Sequence, residues 1–175
     1  LPFAQYLDGQ GNIDWWIKNG DSGKDWLSFR YFNEQSQITE LFYPDWIVHL
    51  NNGTLGIFDT KAGFTAASIE TKCKAEALQK KISKLNSLHS GNIKYVGGII
   101  RKENGVWYYN DHEIYSYQKG NTEGWKLLSS LFIDEKSEED NQFICPDETH
   151  DTSRFKSHLP LYPFHIACGI LESGG

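Results

Sequence analysis

Apolar and polar positions change period several times along the 175-residue chain, and each change marks an element. Phe3 and Leu7 are spaced as on a short helix, interrupted by Gly9 and Gly11. Ile13 to Ile17 is dense in aromatics and runs into Asn19-Gly20, a turn pair. Leu27 to Phe32 alternates and predicts a strand. Leu41 to Leu50 and Thr54 to Lys61 predict two more, joined at Asn51-Asn52-Gly53. Ala66, Ile69, Cys73, Ala77, Leu78, Ile82 and Leu85 then recur mostly three or four apart, one stripe of an amphipathic helix over 66–88, with Gly91 just past its end. Ile93 to Ile100 reads as a strand containing Gly97-Gly98, and Lys102 to Gly105 turns into another at Val106 to Tyr109. Trp125, Leu128, Leu131 and Phe132 cluster as on a short helix.

The order helix, three strands, long helix, two strands fits an α/β domain with a mixed β-sheet flanked by helices, over residues 1–133. Residues 134–175 read as a C-terminal extension whose end is either a strand of this domain or the entry to a further one. They hold an acidic run from Asp134 to Asn141, no clear period over 142–162, and an apolar stretch from Phe164 to Leu171.

Composition narrows the class. A hydrophobic fraction of 39%, with 6 Trp, 9 Tyr and 10 Phe, is enough for a packed core and argues against disorder. No apolar run is long enough to span a membrane, and the N-terminus lacks a signal-peptide pattern. Cys73, Cys145 and Cys168 are odd in number and widely spaced, which favours reduced thiols and a cytoplasmic setting. The chain lacks Met and ends in Ser-Gly-Gly directly after an apolar run, so it reads as a piece of a longer protein. A net charge of −6 does not advertise nucleic-acid binding, so any such contact needs a local basic patch or other parts of the protein.

The chemistry concentrates on one hairpin. Pro44-Asp45 opens one strand and Asp59-Thr60-Lys61 closes the next. A three-residue loop, with Gly53 at positive φ, places Ile47 opposite Ile57, Trp46 opposite Phe58 and Asp45 opposite Asp59. A two-residue Asn52-Gly53 turn would slip the register by one and separate the carboxylates onto opposite faces. The sequence allows both. The first pairs like with like and builds a shared acidic site, and it is the expectation here. Opposed carboxylates would lie about 5 Å apart at Cβ and repel. A hard divalent cation resolves that conflict. Lys61, two residues past Asp59, leaves the same face and brings a positive charge suited to a phosphodiester and its attacking water.

At these residues the chain resembles the PD-(D/E)XK nuclease superfamily, through Pro44-Asp45, the hairpin, Asp59-Thr60-Lys61 and the helix with Lys72, Glu76 and Gln79. More narrowly, Phe3 to Asp8, Trp15-Trp16-Ile17-Lys18-Asn19 and Tyr43 to Val48 are similar to the C-terminal endonuclease domain of type III restriction enzyme Res subunits and related helicase–nucleases. The resemblance covers roughly residues 1–110. It implies a restriction-endonuclease-like fold and a Mg²⁺-dependent DNA endonuclease, with Mn²⁺ as a substitute ion. Asp45, Asp59 and Lys61 would be catalytic, and Asp45, Asp59 and the Thr60 carbonyl would hold the ion. The implied partners are DNA, a helicase or translocase domain in the parent protein and a modification subunit. ATP would bind only to that motor, since no GxxxxGK[ST] occurs in this chain. Family members often carry a Glu on the first helix, whereas here Gln5 and Asp8 are the nearest polar candidates.

Lys72, Lys80 and Lys84 recur on the long helix as a candidate DNA-backbone patch, with Lys72 nearest the hairpin and Lys74 and Lys81 close by. The interspersed Glu70 and Glu76 suit an ordinary solvated face equally well. His49 shares the predicted face of Asp45, but sheet histidines are usually satisfied locally. His150, His158 and His165 with Cys145 lack zinc-finger spacing. Trp15, Trp16, Trp46 and Trp125 read as core rather than as base-stacking platforms. The alternative to an enzyme is a non-catalytic DNA- or partner-docking module that keeps the nuclease fold.

Overall fold

A computed structural model describes residues 2–88, 91 and 93–133. The expected extension over 134–175, with Cys145, Cys168 and the three late histidines, lies outside the described residues.

Helix α1 (Pro2–Asp8) is followed by strand β1 (Ile13–Lys18), the hairpin β2 (Phe29–Asn33) and β3 (Ile38–Phe42), and the hairpin β4 (Trp46–Leu50) and β5 (Leu55–Thr60). A single turn, α2 (Gly63–Ala66), leads into the long helix α3 (Ile69–Leu88). Strands β6 (Tyr95–Glu103), β7 (Val106–Asn110) and the short β8 (Lys126–Leu127) follow, and a 3-10 turn over Leu128–Phe132 closes the series. The main sheet has six strands in the order β1-β4-β5-β6-β7-β8, and β2-β3 forms a separate ribbon. Among the described residues β5 and β6 are the one parallel pair, and α3 lies in the crossover between them. The architecture is mixed α/β.

Neighbouring residues on a strand point to opposite faces, and here each face has its own cover. Ile100 joins Trp46, Val48, Leu50 and Phe58 against Phe3 and Leu7 of α1 and Leu128 and Phe132 of the 3-10 turn. Ile99, one residue back, packs with Ala75 of α3, Tyr115 and Trp125 on the other side. Asp59 is paired with Ile99 in register, so it belongs to the α3 side of the sheet.

Four elements differ from the sequence reading. The expected short helix of Trp125, Leu128, Leu131 and Phe132 is a strand and a 3-10 turn: Lys126–Leu127 pairs with β7, Leu128–Phe132 turns, and Trp125 packs on the opposite face of the sheet from Leu128 and Phe132. The expected single strand from Leu41 to Leu50 is two, because Pro44 has no N–H to give a ladder and Tyr43-Pro44-Asp45 carries the chain from the small ribbon to the main sheet. Ile13–Lys18 is a strand rather than only an aromatic segment, and it pairs antiparallel with β4. The long helix begins at Ile69 and not Ala66: Ser68 caps it, its hydroxyl accepting from Thr71 N–H at 3.1 Å. The buried stripe shifts with that start. Cys73, Leu78, Ile82 and Leu85 are inside as expected, joined by Thr71, Ala75 and Gln79, while Ile69 is exposed.

Candidate active site

The β4–β5 loop is the three-residue one. Gly53 has φ +82°, Leu50 N–H donates to Thr54 O at 2.9 Å, and Gly53 N–H donates to Leu50 O at 2.9 Å. Trp46 pairs with Phe58 and Ile47 with Ile57, the register that brings Asp45 level with Asp59.

Asp45 lies one residue before β4 and is placed by its backbone. Asn19, buried just beyond β1, donates its own N–H to Asp45 O at 2.7 Å. The Asn19 side-chain amide donates to Pro44 O at 2.9 Å and Leu27 O at 2.8 Å, and its Oδ1 accepts from Leu27 N–H at 3.1 Å. This clasp joins three segments at the site. Asn19→Ala leaves two carbonyls and an N–H without partners, and we expect a loss of about 3 kcal/mol, read as a lower urea midpoint.

The Asp45 carboxylate has two distinct halves. Oδ2 accepts from Thr60 N–H at 2.9 Å and also from the Thr60 hydroxyl, while Oδ1 accepts from Lys18 Nζ at 2.8 Å. Burial pushes Asp45 up, but the bonds from Lys18 and Thr60 outweigh it, and the carboxyl sits below its ordinary range. Asp59 is the opposite case. It is almost fully buried, and that desolvation pushes it up to about 6, against the pull of Lys61 and with added repulsion from Asp45. Lys61 Nζ forms a close ion pair with Asp59 Oδ2, yet that buried oxygen receives no hydrogen bond of good geometry.

Two carboxylates, one of them with an under-satisfied buried oxygen, suit a small hard cation. Among the described residues no group of three or more His, Cys, Asp or Glu side chains is gathered to hold a metal. Mg²⁺ does not require one, since it commonly binds through one or two carboxylates and keeps waters or phosphate oxygens for the rest of its shell. The carboxylates of Asp45 and Asp59 therefore suit such an ion.

Other expected residues have other partners. On α1, Gln5 is exposed and Asp8 Oδ1 accepts from the Trp16 indole at 2.9 Å. On α3, Gln79 donates to Gly97 O at 3.0 Å and Glu76 accepts from Tyr115 N–H at 3.3 Å, so both brace the fold. Lys72, Lys80 and Lys84 are exposed. Lys80 borders a groove with Glu76, Ser83, Glu113 and Ile114, none of which belongs to the acid pair. Lys74 adds an attractive charge at Asp59 while pairing with Glu70 and lying near the rings of Tyr31 and Phe42. His49 is stacked on Trp15 with ring centroids 5.1 Å apart, and it meets Asp14 at 3.1 Å. Trp46 and Trp125 are core residues, whereas Trp15 and Trp16 are half-buried.

Sequence reasoning missed Lys18, Asn19 and the reach of Lys74. The signal for the first two was present in the Trp15–Asn19 run: once Ile13–Lys18 pairs with β4, Lys18 falls opposite Trp46 and beside Asp45. No family model matches the chain, and no curated protein or solved structure matches it either.

Proposed function

We propose that this domain is a Mg²⁺-dependent DNA endonuclease of the PD-(D/E)XK type, serving as the nuclease part of a type III restriction enzyme or related helicase–nuclease. The observation that carries the reading is the convergence of Asp45, Asp59 and Lys61 at one end of the β4–β5 hairpin, with Asp59 buried and raised to about 6. A buried carboxylate costs stability unless a cation compensates it, and a fold that tolerates one beside a second Asp is arranged for a use other than packing. A mixed sheet with helices on both faces and a crossover helix shortly after the site supports the same reading.

In this mechanism Asp45, Asp59 and the Thr60 carbonyl would hold the ion. A bound divalent ion would supply Lewis acidity at the scissile phosphate and lower the pKa of the attacking water. Lys61 stands at the rim with part of its side chain in solvent. With a divalent ion held by Asp59, the Lys61 ammonium would be free to turn to a phosphate oxygen and orient the attacking water. DNA, the motor domain and the modification subunit are the partners this proposal brings with it, and the exposed Lys72, Lys80 and Lys84 are its candidate DNA-backbone contacts.

The test is cleavage of plasmid DNA with Mg²⁺ by the wild-type protein and by Lys61→Ala. We expect the variant to lose about a hundredfold or more in rate while keeping its circular dichroism spectrum. Equal rates would remove Lys61 from its role. A second reading, a docking module that keeps the fold without catalysis, draws on one observation: both carboxylates already have ammonium partners, Lys18 and Lys61. DNA binding without Mg²⁺-dependent cleavage in the wild type would favour it.

A further inference from the structure

Lys18 partners Asp45, yet the proposed cleavage mechanism gives it no part. It extends from the end of β1, opposite Trp46 in register, and its ammonium lies 5.2 Å from the Trp46 ring centroid. The contact that matters is Nζ to Asp45 Oδ1 at 2.8 Å. Thr60 already fills Oδ2 with an N–H and a hydroxyl, so Oδ1 is the oxygen Asp45 has left to offer a cation. The Lys18 side chain is 44% exposed, which gives a displaced ammonium direct access to water.

We propose that Lys18 is a resident competitor for the cation position: its ammonium holds Asp45 Oδ1 when no divalent ion is bound and has to leave before one can bind. This rests on the cation-site reading of Asp45 and Asp59 and adds a regulatory device to it. In the ion-free chain the tether neutralises Asp45 and limits its repulsion with Asp59, so the acid pair survives folding without metal. On ion binding, the released charge stays beside the site, where an anionic phosphodiester gains from it. By linkage, a phosphate that draws Lys18 away raises ion affinity by the same factor that the ion raises phosphate affinity. The domain would therefore hold its ion weakly alone and more tightly with DNA in place.

The experiment is calorimetric titration of Mn²⁺ into wild type, Lys18→Gln and Lys18→Arg, without DNA and without any activity readout. Loss of the competing charge in Lys18→Gln should tighten Mn²⁺ binding by up to about fivefold, the upper end for a partly exposed ion pair. Lys18→Arg keeps the charge and should bind as wild type does. If Lys18→Gln binds Mn²⁺ equally or more weakly, the competitor role is overturned and the cation site stands. If Lys18→Arg tightens binding as much as Lys18→Gln, charge is not the cause and the role is likewise overturned. If none of the three proteins binds Mn²⁺, both the role and the cation-site reading fail.

Discussion

Asp59→Asn is expected to abolish Mg²⁺-dependent cleavage and, at pH 8, to raise the stability of the domain. The loss of cleavage should be about a thousandfold or more, since the variant removes the charge that holds the ion at the reacting phosphate. The stability gain follows from the direction of the Asp59 shift. Burial raises its carboxyl from 3.8 to about 6, so between those pH values the folded chain binds a proton that the unfolded chain has lost. Stability therefore falls as pH rises through that window and stays reduced above it. Asn has nearly the same shape and nothing to ionise. At pH 8 it should gain about 2 kcal/mol, seen as a higher Tm. At pH 4, where Asp59 is protonated in the fold, the difference should largely vanish. Mg²⁺ added at pH 8 should raise the wild-type Tm and leave that of Asp59→Asn unchanged. A variant that melts below wild type at pH 8 would mean that Asp59 is stabilising as an anion, which the burial argument does not allow.

Gly97→Ala is expected to cost more than any change at the site itself. Gly97 lies in mid-strand on β6, paired with Ile57 of β5, and a Cβ built there would collide with the Ile57 carbonyl oxygen. The obstacle is the backbone of a central strand, so no rotamer can relieve it. The Gly97 carbonyl also accepts the Gln79 amide, which ties the same point to α3. Relief would require parting β5 from β6 or lifting α3, and the expected loss is about 4 kcal/mol or more, enough to leave little folded protein at 37 °C. Gly53→Ala is the matched control. Its φ is +82° but no atom stands within 4 Å of its Cβ position, so the cost should be about 1 kcal/mol. Urea midpoints of the two variants would rank them. Comparable values would show that β5 and β6 yield more easily than their contact suggests.

How far the sequence could be read varied with the kind of signal. The β4–β5 register was legible only in part: Asn51-Asn52-Gly53 allows two turns, and what singled out the one that forms was that it sets Asp45 opposite Asp59. Strand β1 was not legible, because it lies at the sheet edge with most of its residues half-buried, so Ile13–Lys18 lacks the alternation that marks a strand with one wet face. Pro44 hid its own effect: it holds Tyr43 extended, so the break between β3 and β4 resembles a continuous strand. The α3 lysines depend on helical phase. Starting the helix at Ala66 overlooked the separate turn α2, and with it which of Lys72 and Lys74 lies on the Asp59 side. Of the two polar candidates on α1, Asp8 is engaged by Trp16 and Gln5 is exposed.

Thr60 sits between Asp59 and Lys61 and grips Asp45 with both its N–H and its hydroxyl. Three consecutive residues thus supply one acid, the lysine and the anchor of the other acid. A slip of β5 by a single position would scatter all of them together. Under the proposed reading, a chain threaded one residue out of register would lose ion binding and cleavage together rather than one at a time.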